Sequence, residues 1–226
     1  MIEKAISFLL CATLLISYTT QGQQREIHPN WGPIVKKLRA DDITTTMAYR
    51  AELGGNLTHR PHPNADPLED VAVYGFSSEK DIMTWTVEAP EDDEYKIALI
   101  YCGSKEILSE CTLEVKSGET IINEKTNVPT WEQKPYYQRH YLKESLRLKK
   151  GINKISLKLV NLPEAQIAAA NNSFERKEPY RQRDHVTKHG FCMWSIELFR
   201  TESYTAIRNR AREMKPDLNW MTEGKY

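Results

Sequence analysis

The sequence predicts an all-β sandwich, on three observations. Apolar and polar residues alternate in short runs, turn residues separate those runs, and no segment before residue 200 shows a sustained helical period. Of 226 residues, 40% are hydrophobic, enough for one large core or two small ones.

The first 22 residues stand apart. Glu3 and Lys4 precede the apolar run Ala5 to Tyr18, and Thr20-Gln21-Gly22 offers small residues for cleavage. That is signal-peptide anatomy, and the run is short for a bilayer span. The expectation is a secreted or periplasmic product, with no membrane contact after cleavage. Leu10 before Cys11 is not the small residue a lipidation signal needs.

Residues 23–47 form a polar lead-in, with Ile34, Val35 and Leu38 suggesting a packed segment or a brief helix. Strands begin with Met47–Glu52, ended by Gly54-Gly55. His59 to Asp66, crowded by Pro61, Pro63 and nearby Pro67, is expected as a loop. Val71 to Phe76 is a short apolar run. In Ile82 to Val87, Met83, Trp85 and Val87 alternate with Ile82, Thr84 and Thr86. After an acidic turn at Glu91 to Glu94, Tyr95, Ile97, Leu99 and Tyr101 mark one face of a strand. Cys111, Leu113 and Val115 follow, and Lys116-Ser117-Gly118-Glu119 reads as a hairpin turn into Thr120–Ile122. Leu142 to Leu148, then Ile155, Leu157 and Leu159 after Gly151, and finally Phe191 to Phe199 complete the strands. Trp85 and Trp194, inside strands, are expected in the core.

Two stretches interrupt this pattern. Thr130 to Tyr141 carries Trp131, Tyr136, Tyr137 and Tyr141. Asn161 to Gly190 is long enough that it is either functional or partly helical. Beyond the last strand, Tyr204, Ile207, Ala211 and Met214 share one helical face, a linker helix packing on a neighbouring domain.

Composition excludes some functions. With 31 basic and 31 acidic residues the net charge is zero, so no field favours nucleic acid or an anionic membrane. Gly-x-Ser-x-Gly, a phosphate loop and His-Glu-x-x-His are all missing from the sequence. Asp41-Asp42, Glu69-Asp70 and Asp92-Asp93 are adjacent pairs at turns, poorly placed for shared acid–base work. His59 with His62 and His185 with His189 read as solvated loop histidines. Arg176, Lys177, Arg181, Arg183 and Lys188, broken by Glu175, Glu178 and Asp184, read as a solvated face or a domain contact. Of the cysteines beyond the signal, Cys102 and Cys111 are candidates to bridge neighbouring strands. The alternative is three buried thiols, Cys192 included.

The order of these signals resembles the galactose-binding-like jelly roll of carbohydrate-binding modules in families 6 and 35. The matching pieces are Ala51-Glu52, Thr84-Trp85-Thr86-Val87, Ala89-Pro90 to Tyr95, Gly151 to Leu157 and Trp194 to Leu198, spanning about residues 48–201. The resemblance implies a glycan partner. A sugar lays its apolar face on an aromatic ring while polar groups take its hydroxyls, which points to Trp131 as the platform. Tyr136 and Tyr137 stand behind it, with Asn161 as polar partner. The same rings would also suit plugging the sandwich end or docking on a neighbour. The resemblance further implies a structural calcium at Glu52. Met193, however, stands where the family's second carboxylate belongs.

Residues 202–226 are expected to link into a second domain. Trp220-Met221-Thr222-Glu223-Gly224-Lys225-Tyr226 resembles the opening of the (β/α)-barrel of family 29 glycoside hydrolases, the α-L-fucosidases. That resemblance implies a downstream catalytic domain acting on fucosylated glycans by a retaining mechanism, with no catalytic residue in this chain. The alternatives are a stand-alone carbohydrate-binding protein and a ligand-free structural module.

Overall fold

The computed structural model describes residues 31–61, 71–127, 138–175 and 190–200. In chain order the strands are β1 (Val35–Lys37), β2 (Thr44–Met47), β3 (Glu52–Leu53), β4 (Thr58–Pro61), β5 (Val71–Tyr74), β6 (Met83–Ala89) and β7 (Asp93–Cys102). There follow β8 (Thr112–Ser117), β9 (Thr120–Lys125), β10 (Gln138–Tyr141), β11 (Leu146–Leu148), β12 (Gly151–Val160) and β13 (Cys192–Arg200). Among the described residues, two α-helices lie between them, α1 (Lys105–Glu110) and α2 (Glu164–Glu175). One sheet runs β1-β6-β12-β8-β9 with β3 also on β6. The other runs β10-β7-β13-β5-β4, with β11 on β7 and β2 on β13. The expected all-β, jelly-roll-type sandwich is the observed fold.

Period-two alternation explains how the sheets close on each other. β6 is buried at every second residue, and Met83, Trp85 and Val87 face the same core as Ile155, Leu157 and Leu159 of β12. Tyr95, Ile97, Leu99 and Tyr101 of β7 meet them from the opposite sheet. Burying each such aliphatic side chain contributes about 1.5–3 kcal/mol. Trp85 is fully buried, and its indole N–H donates to Met47 O at 3.1 Å. A second, smaller cluster of Ala72, Tyr74, Cys102 and Cys192 joins residues that alternate with the core positions of β5, β7 and β13. Trp194 packs against this cluster rather than in the main core. It stands where the β13–β7 register slips between Met193 and Ser195. A slip of this kind turns the next side chain to a new face.

Several local expectations are corrected. Met47–Glu52 is not one strand: β2 ends at Met47, Ala48–Arg50 form a 3-10 turn, and β3 belongs to the other sheet. The chain crosses between sheets here, and Ala48 and Tyr49 are both buried at the crossing. Thr58–Pro61 pairs with β5 instead of looping. Its proline is tolerated because β4 is an edge strand. The segment around Val35 is a strand parallel to β6, not a helix. The helix α1 was not foreseen, being under two turns long. Ser104 caps it, its hydroxyl accepting from Ile107 N at 3.3 Å. The helical alternative for the segment after Asn161 holds through α2.

Cys102, Cys111 and Cys192 are all buried. Cys102 does not face Cys111, which lies in the main core; its neighbour is Cys192, in the second cluster. Burial pushes the Cys111 thiol up to about 12. Among the described residues, no helix is long and apolar enough to cross a membrane.

Candidate functional site

The strand registers send the long connections to one end of the sandwich. Leu53, Met83, Thr112, Lys125 and Val160 finish one sheet there, and Tyr74, Cys102, Gln138 and Cys192 finish the other. The segments 54–57, 75–82, 103–111, 126–137 and 161–191 therefore leave from this end.

Two buried polar side chains and one hydrogen-bonded chain of side chains hold these connections. Asp81 is fully buried, and its carboxylate accepts from the backbone N–H groups of Asn56 (2.6 Å), Ser77 (2.7 Å) and Ser78 (2.6 Å). The hydroxyls of Ser77 and Ser78 donate to the same carboxylate. Gly55, at φ +66°, lies so close that a Cβ would collide with Asp81 Oδ1. Gln166 of α2 is equally buried. It donates to Phe76 O and accepts from Phe191 N, both at 2.7 Å, tying α2 to the segments after β5 and before β13.

The third hold is a chain of side chains across the sheets. Tyr101 Oη accepts from Asn127 N at 2.8 Å and lies 2.8 Å from His140 Nδ1. His140 Nε2 is 2.9 Å from Glu124 Oε1, and Glu124 Oε2 accepts from Lys143 N at 2.9 Å. A carboxylate only accepts, so His140 donates from Nε2 to Glu124, and its Nδ1 shares a hydrogen bond with the Tyr101 hydroxyl. Burial raises the Tyr101 phenol well above its ordinary range, so it keeps its proton. Tyr101 is 0% exposed and His140 1%, which makes this a structural brace rather than a group that meets a substrate. Gln138 Nε2 donates to Asn127 O at 2.8 Å, and Thr126 hydrogen-bonds Leu108 O and Cys111 O. Both flanks of residues 128–137 are thereby fixed.

Trp131, Tyr136 and Tyr137 lie outside the described residues, as do His62, His185, His189, the basic cluster 176–188, the signal segment and residues 201–226. Asn161 is described. It is exposed, follows β12 directly, and adopts φ +54°, a left-handed conformation that asparagine tolerates at turns. Asn161 thus stands at the loop-bearing end. His59, on β4, is half-buried, and burial lowers its pKa.

Calcium does not fit the residues around Glu52. Its side chain is 65% exposed, and its carboxylate lies 3.9 Å from Lys154 Nζ, a cation rather than a second carboxylate. Met193 is buried in the core, and Glu197 of the same strand pairs with Arg139 at 2.7 Å. Among the described residues, no three His, Cys, Asp or Glu gather in a metal-binding group. Sequence reading had not singled out Asp81, Gln166, Tyr101 with His140, or Glu124. Asp81 reaches remote Asn56 as well as its neighbours Ser77 and Ser78, and the others act on partners remote in the chain.

No family model matches the sequence, and no curated protein does. Some solved structures are similar to this chain. A GH26-CBM35 β-(1,4)-mannanase from Podospora anserina is 14% identical, with TM-score 0.47, over 71% of this chain and 28% of that one. A family 35 carbohydrate-binding module from Clostridium thermocellum is 10% identical, with TM-score 0.45, over 71% of this chain and 99% of that one. The Cry4Aa toxin from Bacillus thuringiensis is 11% identical, with TM-score 0.50, over 73% and 24%. This chain spans less than a third of the mannanase. At these identities the likeness is one of fold, and one fold hosts many functions.

Proposed function

We propose that this protein is an exported carbohydrate-binding module, in which Trp131 stacks on a sugar ring, Tyr136 and Tyr137 flank it, and Asn161 binds a hydroxyl. The observation that supports this is the fixed base of the aromatic segment. Asn127 and Gln138, on either side of it, are hydrogen-bonded to each other and, through Tyr101 and His140, to both sheets. A binding loop gains affinity when its ends are ordered beforehand. Asn161 leaves the sandwich at the same end.

The finer reading is that the sandwich serves a fucosidase-like glycoside hydrolase and recognises fucosylated glycans. The segment Trp220 to Tyr226 supports it. Hydrolysis would belong to that second domain, which would need two carboxyl groups close together.

A glycan array followed by affinity electrophoresis tests the module. The wild-type protein should be retained by at least one glycan class. Trp131→Ala should weaken retention about 30-fold, equivalent to ~2 kcal/mol for a central aromatic contact. Indifference of the wild type to every glycan would leave a ligand-free structural module. Preference for fucosylated glycans, with hydrolysis of an aryl α-L-fucoside by the native gene product, would support the fucosidase reading.

A further inference from the structure

Cys102 closes β7 and Cys192 opens β13, and the antiparallel register places them directly opposite each other. Opposed residues in such a ladder have Cα atoms about 4.5–5.5 Å apart. A disulfide spans ~4.4–6.8 Å between Cα atoms, so the register alone meets its requirement. The side chains also share a face. Both are buried in the small cluster with Ala72 and Tyr74, and their sulfur atoms lie 2.7 Å apart. Cys111, in the main core beside α1, has neither relation to them.

We infer that Cys102 and Cys192 are the site of a cross-strand disulfide, formed when the chain folds with a disulfide-bearing oxidant, and that Cys111 stays a thiol. Export, as proposed above, bears only on where this happens. The pairing itself follows from the fold. The thiolate of one cysteine attacks a sulfur of the oxidant, here glutathione disulfide, forming a mixed disulfide and expelling one glutathione thiolate. The thiolate of the second cysteine then attacks the protein sulfur of that mixed disulfide. The Cys102–Cys192 bond forms, the mixed bond breaks, and a second glutathione thiolate leaves. Two cysteine protons are taken up by the released thiolates, and one glutathione disulfide is reduced to two thiols.

The order of events follows from burial. In the folded, reduced protein the Cys102 thiol is held protonated, first by its hydrogen bond with Cys192 and then by desolvation. Exchange therefore belongs to the unfolded or partly folded chain, before β13 seats beside β7. Once made, the bond joins residues 90 apart in sequence. It encloses both long connections, 126–137 and 161–191, and fastens the strands from which they leave.

The test is oxidative refolding of the full chain from denaturant with glutathione disulfide, then alkylation under denaturing conditions and peptide mapping without reductant. The expected result is a peptide pair joined through Cys102 and Cys192, lighter by two hydrogens, with Cys111 alkylated. Reduction should lower Tm by roughly 10 °C, as expected for a loop of this length in a domain of this size. Recovery of Cys102 and Cys192 as separately alkylated peptides would overturn the inference, as would a bond from either to Cys111. The map uses the wild-type chain, so it does not depend on a cysteine variant folding.

Discussion

The two ends of the sandwich are held by different physics. At the end that carries the long connections, the holds are buried side chains: Asp81, Gln166 and the Tyr101–His140–Glu124 chain. At the other end the chain turns tightly. Gly118 (φ +57°) and Gly151 (φ +94°) supply positive-φ backbone between β8 and β9 and at the first residue of β12. Asn153 bridges Lys149 and Gly151, and exposed charges pair as Lys149 with Asp92 and Arg200 with Glu91. A turn held by its own backbone leaves little room for change. Loops held by a few internal side chains can vary at their tips while their bases stay fixed, which is what a recognition surface needs.

If that contrast is right, the largest single loss should come from Asp81. Asp81→Ala leaves three backbone N–H groups, those of Asn56, Ser77 and Ser78, without their acceptor. A hydrogen bond to a charged acceptor is worth about 1.5–3 kcal/mol, so a loss of roughly 4 kcal/mol is expected by urea unfolding. A loss below about 1 kcal/mol would mean that this end is not braced by its buried carboxylate.

Tyr101→Phe comes next and probes the base of the aromatic segment. It removes the hydroxyl that accepts from Asn127 and meets His140. Stability should fall by about 1–3 kcal/mol. Glycan retention should fall with it, because Asn127 flanks residues 128–137. Full retention in a destabilised variant would separate the brace from the binding surface and shift attention to Asn161.

The same contrast explains what the sequence revealed. The core was legible because Met83, Trp85 and Val87, or Ile155, Leu157 and Leu159, alternate within a few residues. The β8–β9 turn was legible because Gly118 sits beside the strands it joins. The braces were not. Asp81 holds Asn56 from 25 residues away, and Gln166 holds Phe76 from 90. Serines three and four residues earlier are common at turns, so Ser77 and Ser78 did not by themselves separate Asp81 from surface acids such as Asp92. The cysteine partner was missed for the same reason, since Cys111 is near Cys102 in sequence and Cys192 near it in space. Met47–Glu52 misled because a run can look continuous where the chain changes sheets. Buried Ala48 and Tyr49, side by side, break the alternation one strand would show.

At the turn end, Gly118→Ala should cost about 1 kcal/mol. A Cβ there meets nothing within 4 Å, so the cost is conformational and not steric crowding with neighbours. A thermal shift measures it, and an unchanged Tm would show that the turn relaxes without its left-handed residue.

The smallest effect expected is also the most specific, because it depends on pH. Asp92 accepts from Lys150 N at 2.7 Å and from Lys149 Nζ at 3.0 Å. The Lys150 hydrogen bond, then that of Lys149, holds its carboxyl below the ordinary value of 3.8. A carboxyl whose pKa is lower folded than unfolded stabilises the fold above the unfolded value. It loses that contribution as pH falls through the folded one. Wild type and Asp92→Asn should therefore differ in Tm near neutrality and converge as the pH drops through the lowered folded value. Salt should shrink the neutral-pH gap, since the carboxylate and the ammonium are both exposed. A gap that persists unchanged at acid pH would assign the effect to the amide's own hydrogen bonds. The turn end would then depend on its backbone alone, and the exposed charges there would be decoration on a structure already closed by Gly118, Gly151 and Asn153.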